Sequence, residues 1–185
     1  MKPTLQLMRT LAGGLCLLAG VLAPVRAAPA SGAIAAAQVG ASAKLIRPIT
    51  VNRASDMAFG SIVKPTTGAG TVALSAAGAR SVTGTGATAL ASTPAQAARF
   101  TIDGEGAQAI NVTVAGTFLL HSSGKPDLTV TTTHDLPGGS ALQTLPGTLG
   151  TPGRLTLNVG GAFGLNSATP SANYLGQFSV TAAYY

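Results

Sequence analysis

Two histidines, His121 and His134, and five acidic residues are the main candidates for metal or acid–base chemistry in this chain of 185 residues. A zinc centre draws three or four ligands from His, Cys, Asp or Glu. The single cysteine, Cys16, lies in an apolar N-terminal run and has no second thiol to join it. His134-Asp135 stands beside Pro137-Gly138 and reads as a polar turn. Serines are plentiful, but no Gly-x-Ser-x-Gly elbow exposes one as a nucleophile. Asp103-Gly104-Glu105 lacks the further acidic ligands of a calcium loop, and Asp-Gly is first a turn signal. Gly84-Thr85-Gly86 has no Lys-Ser or Lys-Thr after it and opens no helix, so it does not read as a phosphate cradle. Asn111-Val112-Thr113 matches the glycosylation triplet but falls inside an expected strand and takes no role. The expectation is a protein that is not an enzyme, with no catalytic, cofactor-binding or metal residues and no cofactor.

What remains to be positioned is the backbone itself. The last twelve residues run Tyr174-Leu-Gly-Gln-Phe-Ser-Val-Thr-Ala-Ala-Tyr-Tyr185. Phe178 and Val180 point one way while Gln177, Ser179 and Thr181 point the other, which is the period of a half-buried strand. Tyr174, Gly176, Phe178, Val180 and Tyr184 share the inward register and are the candidate strand-pairing and assembly residues. A sheet edge carries unpaired N–H and C=O groups that an added strand satisfies while its side chains fill pockets.

The rest of the chain has the same character. It is rich in Thr, Val, Gly and Ala, with few Glu or Lys to build a helix surface. Strands are expected over 44–52 and 57–64, around Val72 and Leu74, and around Phe100 and Ile102, the last ended by Asp103-Gly104-Glu105-Gly106. Further strands carry Ile110, Val112 and Val114, then Leu128 and Val130, then Leu155, Leu157 and Val159. Residues 92–99 read as one helical turn, with Thr93 as cap and Pro94 at its first position. Residues 138–153 read as a long loop or weak hairpin. Short strands broken by turn signals favour antiparallel pairing, because parallel pairing needs crossovers of about a dozen residues. A membrane barrel is disfavoured: aromatics are 4% of the chain and there is no Trp for interfacial girdles.

The N-terminus reads as an export signal over residues 1–27. Lys2 and Arg9 precede an apolar run from Leu11 to Ala23, and Val25-Arg26-Ala27 supplies the cleavage site. The run is shorter than the about 20 apolar residues of a comfortable span. Removing it leaves eight basic residues against five acidic, so the net charge falls from +6 to +3. The remaining positives are scattered, which is unlike the clustered footprint of nucleic-acid binding. Residues 28–43 are Ala-rich and read as a flexible N-terminal segment. Residues 44–185 read as one domain without cysteine, so its core must suffice without a disulfide.

Four stretches in order carry a resemblance. They are Arg47-Pro-Ile-Thr-Val, Asp56-Met-Ala-Phe-Gly-Ser-Ile-Val, Val72-Ala-Leu-Ser-Ala-Ala-Gly-Ala-Arg-Ser and Tyr174-x-Gly176-x-Phe178-x-Val180. Together they resemble the exported bacterial domain-of-unknown-function family 4402. The ending Gly176-x-Phe178-x-Val180-x-Ala182-x-Tyr184 is similar to the C-terminal motif of chaperone–usher pilins, and spore-coat-protein-U-like secreted proteins end comparably. The period-2 runs read as a single all-β domain, an antiparallel β-sandwich of seven to nine strands; the resemblance implies that the sandwich is immunoglobulin-like and lies on or outside the envelope of a Gram-negative bacterium. It implies no activity. Many pilins carry a disulfide, and this chain after residue 27 has no Cys.

Two functional expectations follow. One is a structural or adhesive, pilin-like subunit in the periplasm, at the cell surface or outside the cell. It would pair strands with like subunits or a periplasmic chaperone. The other is a monomeric secreted module that binds a surface glycan through sandwich loops, with Phe118 and Phe163 as its aromatic candidates. Neither involves nucleic acid or a stable membrane span after signal removal.

Overall fold

The computed structural model describes residues 37–185. The expected signal peptide and most of the segment 28–43 lie outside the described residues. Residues Ala43–Tyr185 form one compact unit. Residues 37–49 carry no strand or helix and are almost wholly exposed.

In chain order the strands are β1 (Thr50–Ser55), β2 (Ile62–Val63), β3 (Ala69–Leu74), β4 (Arg80–Thr83), β5 (Thr88–Ala89), β6 (Ala98–Glu105), β7 (Ala109–Val114), β8 (Thr117–His121), β9 (Leu128–His134), β10 (Leu142–Thr144), β11 (Pro152–Asn166), β12 (Leu175–Gly176) and β13 (Val180–Tyr184). The one helical element among the described residues is a 3-10 turn, Pro137–Gly139. Of the thirteen strands, nine have four residues or more. The other four are ladders of two or three residues, too short for a periodicity of two to reveal.

The architecture is all-β and antiparallel, in a sandwich-like arrangement. The larger sheet runs β1-β6-β11-β9-β8-β12, with β3 and β4 added beside β11; the smaller runs β10-β7-β13. β2 pairs with β5 alone.

β11 is the spine. Its first half, up to Val159, pairs with β6, and its second half, from Gly161, pairs with β3 along the same edge. β9 takes the opposite edge over Val159–Phe163. The inward positions alternate without a break through Leu157, Val159, Phe163 and Leu165, all buried. One strand face therefore serves two cores. The first packs Phe100 and Ile102 of β6, Leu157 and Val159 of β11, and Ile110 and Val112 of the facing β7, with Leu136 and Leu145 closing its ends. The second packs Val72, Val130, Phe163 and Leu165, with Phe59, Ile62, Phe118 and Leu120 partly buried around them. Full burial of side chains such as Ile102, Ile110, Leu145 and Leu157 stabilises the fold by about 1.5–3 kcal/mol each.

A second tie explains the Phe59-Gly60 element. The Arg80 guanidinium donates from Nη1 to the Phe59 carbonyl at 2.6 Å and from Nη2 to the Leu90 carbonyl at 2.9 Å. Nη1 also reaches the Thr93 carbonyl at 3.3 Å. One cation thus ties together two loops that are otherwise joined only by the short β2–β5 ladder, the Ala58–Gln96 bridge and a few hydrogen bonds. Two of the stretches noted in the sequence meet at this contact.

Four expectations are corrected. Residues 92–99 do not form a helical turn: Gln96 pairs with Ala58 in an isolated bridge, and Ala98 opens β6. The Thr93 hydroxyl accepts the Ser61 N–H at 2.7 Å instead of capping a helix, and Ala98 is buried, so tertiary packing overrides local propensity. The expected strand 57–64 is an irregular segment with only Ile62–Val63 in a ladder. The strand expected over 44–52 begins at Thr50. The strand expected to be ended by Asp103-Gly104-Glu105-Gly106 runs through Glu105, and the chain turns at Gly106-Ala107, with Ala107 at φ 57.

Gly160 sits where β6 ends and β3 begins along the spine. A Cβ there would strike the Leu74 carbonyl oxygen and lie 2.6 Å from the Ser75 carbonyl carbon. These are backbone atoms and cannot rotate away. Gly160→Ala is expected to destabilise by about 3 kcal/mol, near the top of the overpacking range. Gly164→Ala, whose nearest neighbour would be the Gly70 carbonyl at 4.0 Å, is expected to be close to neutral. Urea midpoints of the two variants check this, and equal midpoints would disprove it.

Candidate functional site

The C-terminal stretch is not one strand. β12 pairs with β8 in the larger sheet, Leu175 opposite His121 and Gly176 opposite Leu120. β13 pairs with β7 in the smaller sheet, from Val180 opposite Val114 to Tyr184 opposite Ile110. Gln177, Phe178 and Ser179 lie between them without a ladder. The expected single strand over 174–185 is thus corrected to two short strands joined by a crossover from one sheet to the other. The inward register expected for Phe178, Val180 and Tyr184 persists through the crossover: they are half-buried, while Gln177, Ser179, Thr181 and Ala183 are exposed.

Phe178 fills the gap at the crossover. Its ring stacks on Phe118 at 5.1 Å and meets Phe100 edge-on at 5.9 Å. Phe100 belongs to the first core and Phe118 to the second, so Phe178 joins them. The Ser179 carbonyl accepts the Ala115 N–H at 3.1 Å, which fixes the crossover to the end of β7. Gly176 passes close over β8, where a Cβ would collide with the Leu119 carbonyl oxygen. Tyr174 is set apart from this group, its hydroxyl donating to the Pro170 carbonyl at 3.2 Å.

Tyr184 anchors the far end. Its hydroxyl accepts the Glu105 N–H at 2.7 Å and donates to the Arg47 carbonyl at 2.7 Å. The seat requires Gly104, because a Cβ there would lie 2.6 Å from that hydroxyl. The Glu105 carboxylate, 4% exposed, accepts the Arg47 N–H at 3.2 Å and the Gly150 N–H, and the Arg47 guanidinium stands 3.6 Å away. The Gly150 N–H holds the carboxyl below its ordinary value of 4.5, aided by the Arg47 N–H and guanidinium against the opposing effect of burial. Sequence reasoning took Asp103-Gly104-Glu105 for a turn and missed this role. The available signal was that Glu105 is the chain's single glutamate and falls in a β-prone stretch.

The remaining chemistry-bearing residues are dispersed. Asp103 binds Arg154 at 2.6 Å, which raises the arginine's pKa further. His121 Nδ1 lies 2.6 Å from Asp127 Oδ1 at one end of the β8–β9 pair, and His134 lies at the other end. Phe163 is buried in β11 and Phe118 faces the second core, so neither is a loop aromatic open to a glycan.

Edges differ in how they are protected. β1 carries Arg53 and a bulge between Arg53 and Ser55. β4 opens with Arg80, which is held among loop carbonyls, while β10 and β12 have three and two residues. β13 has five residues, one ladder partner among the described residues, and no charge or proline. Charges, bulges and shortness are the usual devices against strand addition, and β13 has none of them.

Two outcomes follow from this geometry. Phe178→Ala is expected to cost about 3 kcal/mol, the lower part of the range for Phe truncation because the ring is only half-buried. Gln177→Ala, one residue away and exposed, is expected to change stability by less than about 0.5 kcal/mol. Urea titration checks the pair. The second outcome concerns acid. A carboxylate whose folded pKa is depressed stabilises the fold above its unfolded value, and that contribution is lost as pH falls through the folded value. Stability is therefore expected to hold from neutral pH to about pH 5 and to decline below it. Glu105→Gln is expected to be less stable at neutral pH and to lose less on acidification, as read from urea midpoints at both pH values.

No curated protein and no solved structure matches the chain. One family does: the model described as Domain of unknown function (DUF4402) matches residues 49–184, from just before β1 to the end of β13. The Arg80 tie, the β11 spine, the crossover at Phe178, Glu105 and Tyr184 fall within that match, Arg47 stands just before it, and the chain belongs to the DUF4402 family.

Proposed function

We propose that this protein is an exported envelope or surface subunit without enzymatic activity, and that it acts through β-strand pairing by its C-terminal stretch. The observation that carries this reading is the free edge of β13. Five residues, Val-Thr-Ala-Ala-Tyr, present one row of backbone N–H and C=O groups to β7 and leave the other row without a ladder among the described residues. An uncharged edge of this length is a template for another strand. The N-terminal run with its Val25-x-Ala27 site supports export. Like subunits or a periplasmic chaperone are the partners that suit such an edge. The pilin-like spacing of Gly176, Phe178, Val180 and Tyr184 favours that class over a glycan-binding module, whose aromatic candidates both face the core.

The test places a charge on the edge without disturbing the core. Ala183 is exposed, so Ala183→Lys is expected to leave monomer stability within about 0.5 kcal/mol while abolishing self-association or chaperone capture. Size-exclusion chromatography and electron microscopy of the two proteins read assembly. Removal of residues 175–185 is expected to give aggregated or degraded protein in place of folded surface material. Unchanged assembly by Ala183→Lys would refute the pairing role of β13.

A further inference from the structure

We propose that the segment 44–49 and strand β13 form a single opening unit, a latch in which neither part is released without the other. The segment precedes β1 and has no ladder partner. Apolar burial holds only its last residue, Ile49, which is partly buried against the first core, whereas Leu45 is 87% exposed and Ile46 is 42% exposed. Polar bonds hold the rest of it. Arg47 uses its N–H on the Glu105 carboxylate and its carbonyl on the Tyr184 hydroxyl. Lys44 Nζ donates to Gln108 Oε1 at 2.7 Å, in the turn between β6 and β7.

The coupling follows from shared groups. The Tyr184 hydroxyl joins three chain segments, because it accepts from Glu105 of β6 and donates to Arg47. Lifting β13 alone would leave the Arg47 carbonyl and the Glu105 N–H without these partners. Lifting the segment alone would take the Arg47 N–H and guanidinium from a carboxylate that is 4% exposed, and the Arg47 carbonyl from Tyr184. Each separate opening takes a partner from Glu105, the buried member of the group, whereas a joint opening admits water to its N–H and carboxylate at once. The latch stands on this geometry alone. Its consequence for assembly, that a partner drawing β13 away from β7 also releases Leu45 and Ile46, goes beyond pairing at the free edge and rests on the strand-pairing reading above.

Native-state hydrogen exchange of the full chain, resolved by NMR at the Arg47 amide, whose N–H the Glu105 carboxylate accepts, and at the β13 amides paired with β7, tests the latch. In the unmodified protein the two sites are expected to share one opening constant, distinct from the slower opening of β3 and β11. Tyr184→Phe is expected to raise exchange at both sites by about five- to tenfold, with β3 and β11 unchanged. Free exchange of the Arg47 amide while the β13 amides stay protected, or a rise at one site alone, would overturn the latch. The comparison within the unmodified protein decides the question even if the variant unfolds globally. Coupled exchange with unaltered self-association of Tyr184→Phe would leave the latch standing and count against the strand-pairing reading. Uncoupled exchange overturns the latch whichever way assembly behaves.

Discussion

The fold depends on what β11 accepts along its two edges. Fifteen residues pair with β6, then β3, on one side and with β9 on the other, while one unbroken inward face feeds both cores. The arrangement needs the chain leaving β3 to pass against β11 at Gly160, where no side chain fits. Nothing else in the unit draws three separate strand pairs into one sheet. With no disulfide available to residues 43–185, that convergence is the principal constraint on the structure.

The C-terminal stretch performs the complementary task between sheets. A crossover at Gln177–Ser179 is possible because Phe178 occupies the seam that opens when a chain changes sheets. Its two aromatic neighbours come from different cores, so the ring is a joint between the two. At the other end, the Tyr184 hydroxyl reaches the backbone of β6 and of the segment before β1. Closing the sandwich and tethering its N-terminal segment are therefore the work of the same few residues.

Much of this was legible as periodicity. Alternation located β3, β6, β7, β9, β11 and the inward register of Phe178, Val180 and Tyr184, because burial on one face imposes a period of two. Alternation carries no information about which sheet a strand joins. The crossover was invisible for that reason: Gly176, Phe178 and Val180 keep one parity while the ladder partner changes from β8 to β7. β8 was missed because the apolar, exposed Leu119 stands at an outward position and blurs the pattern. Glu105 was misread because Asp103-Gly104 signals a turn, whereas donors from Arg47 and Gly150 offset the burial of its carboxylate within β6. Arg80 was seen only as one of the scattered charges. Its role lies with the carbonyls of Phe59, Leu90 and Thr93, and no local pattern announces contacts at that separation.

The position of β11 along the chain has a kinetic meaning. The pairs β1–β6, β3–β4 and β8–β9 can all form from residues that precede 152, but each waits for the spine before it can join the larger sheet. Until then three β-rich fragments hold apolar faces in water, with loop-closure entropy not yet offset by packing. Chains of such non-local pairing fold on the order of milliseconds to seconds. The larger sheet therefore cannot close before β11 is in place. The time between the emergence of residue 50 and that of residue 166 is when the nascent chain is most exposed to proteases and to other copies of itself.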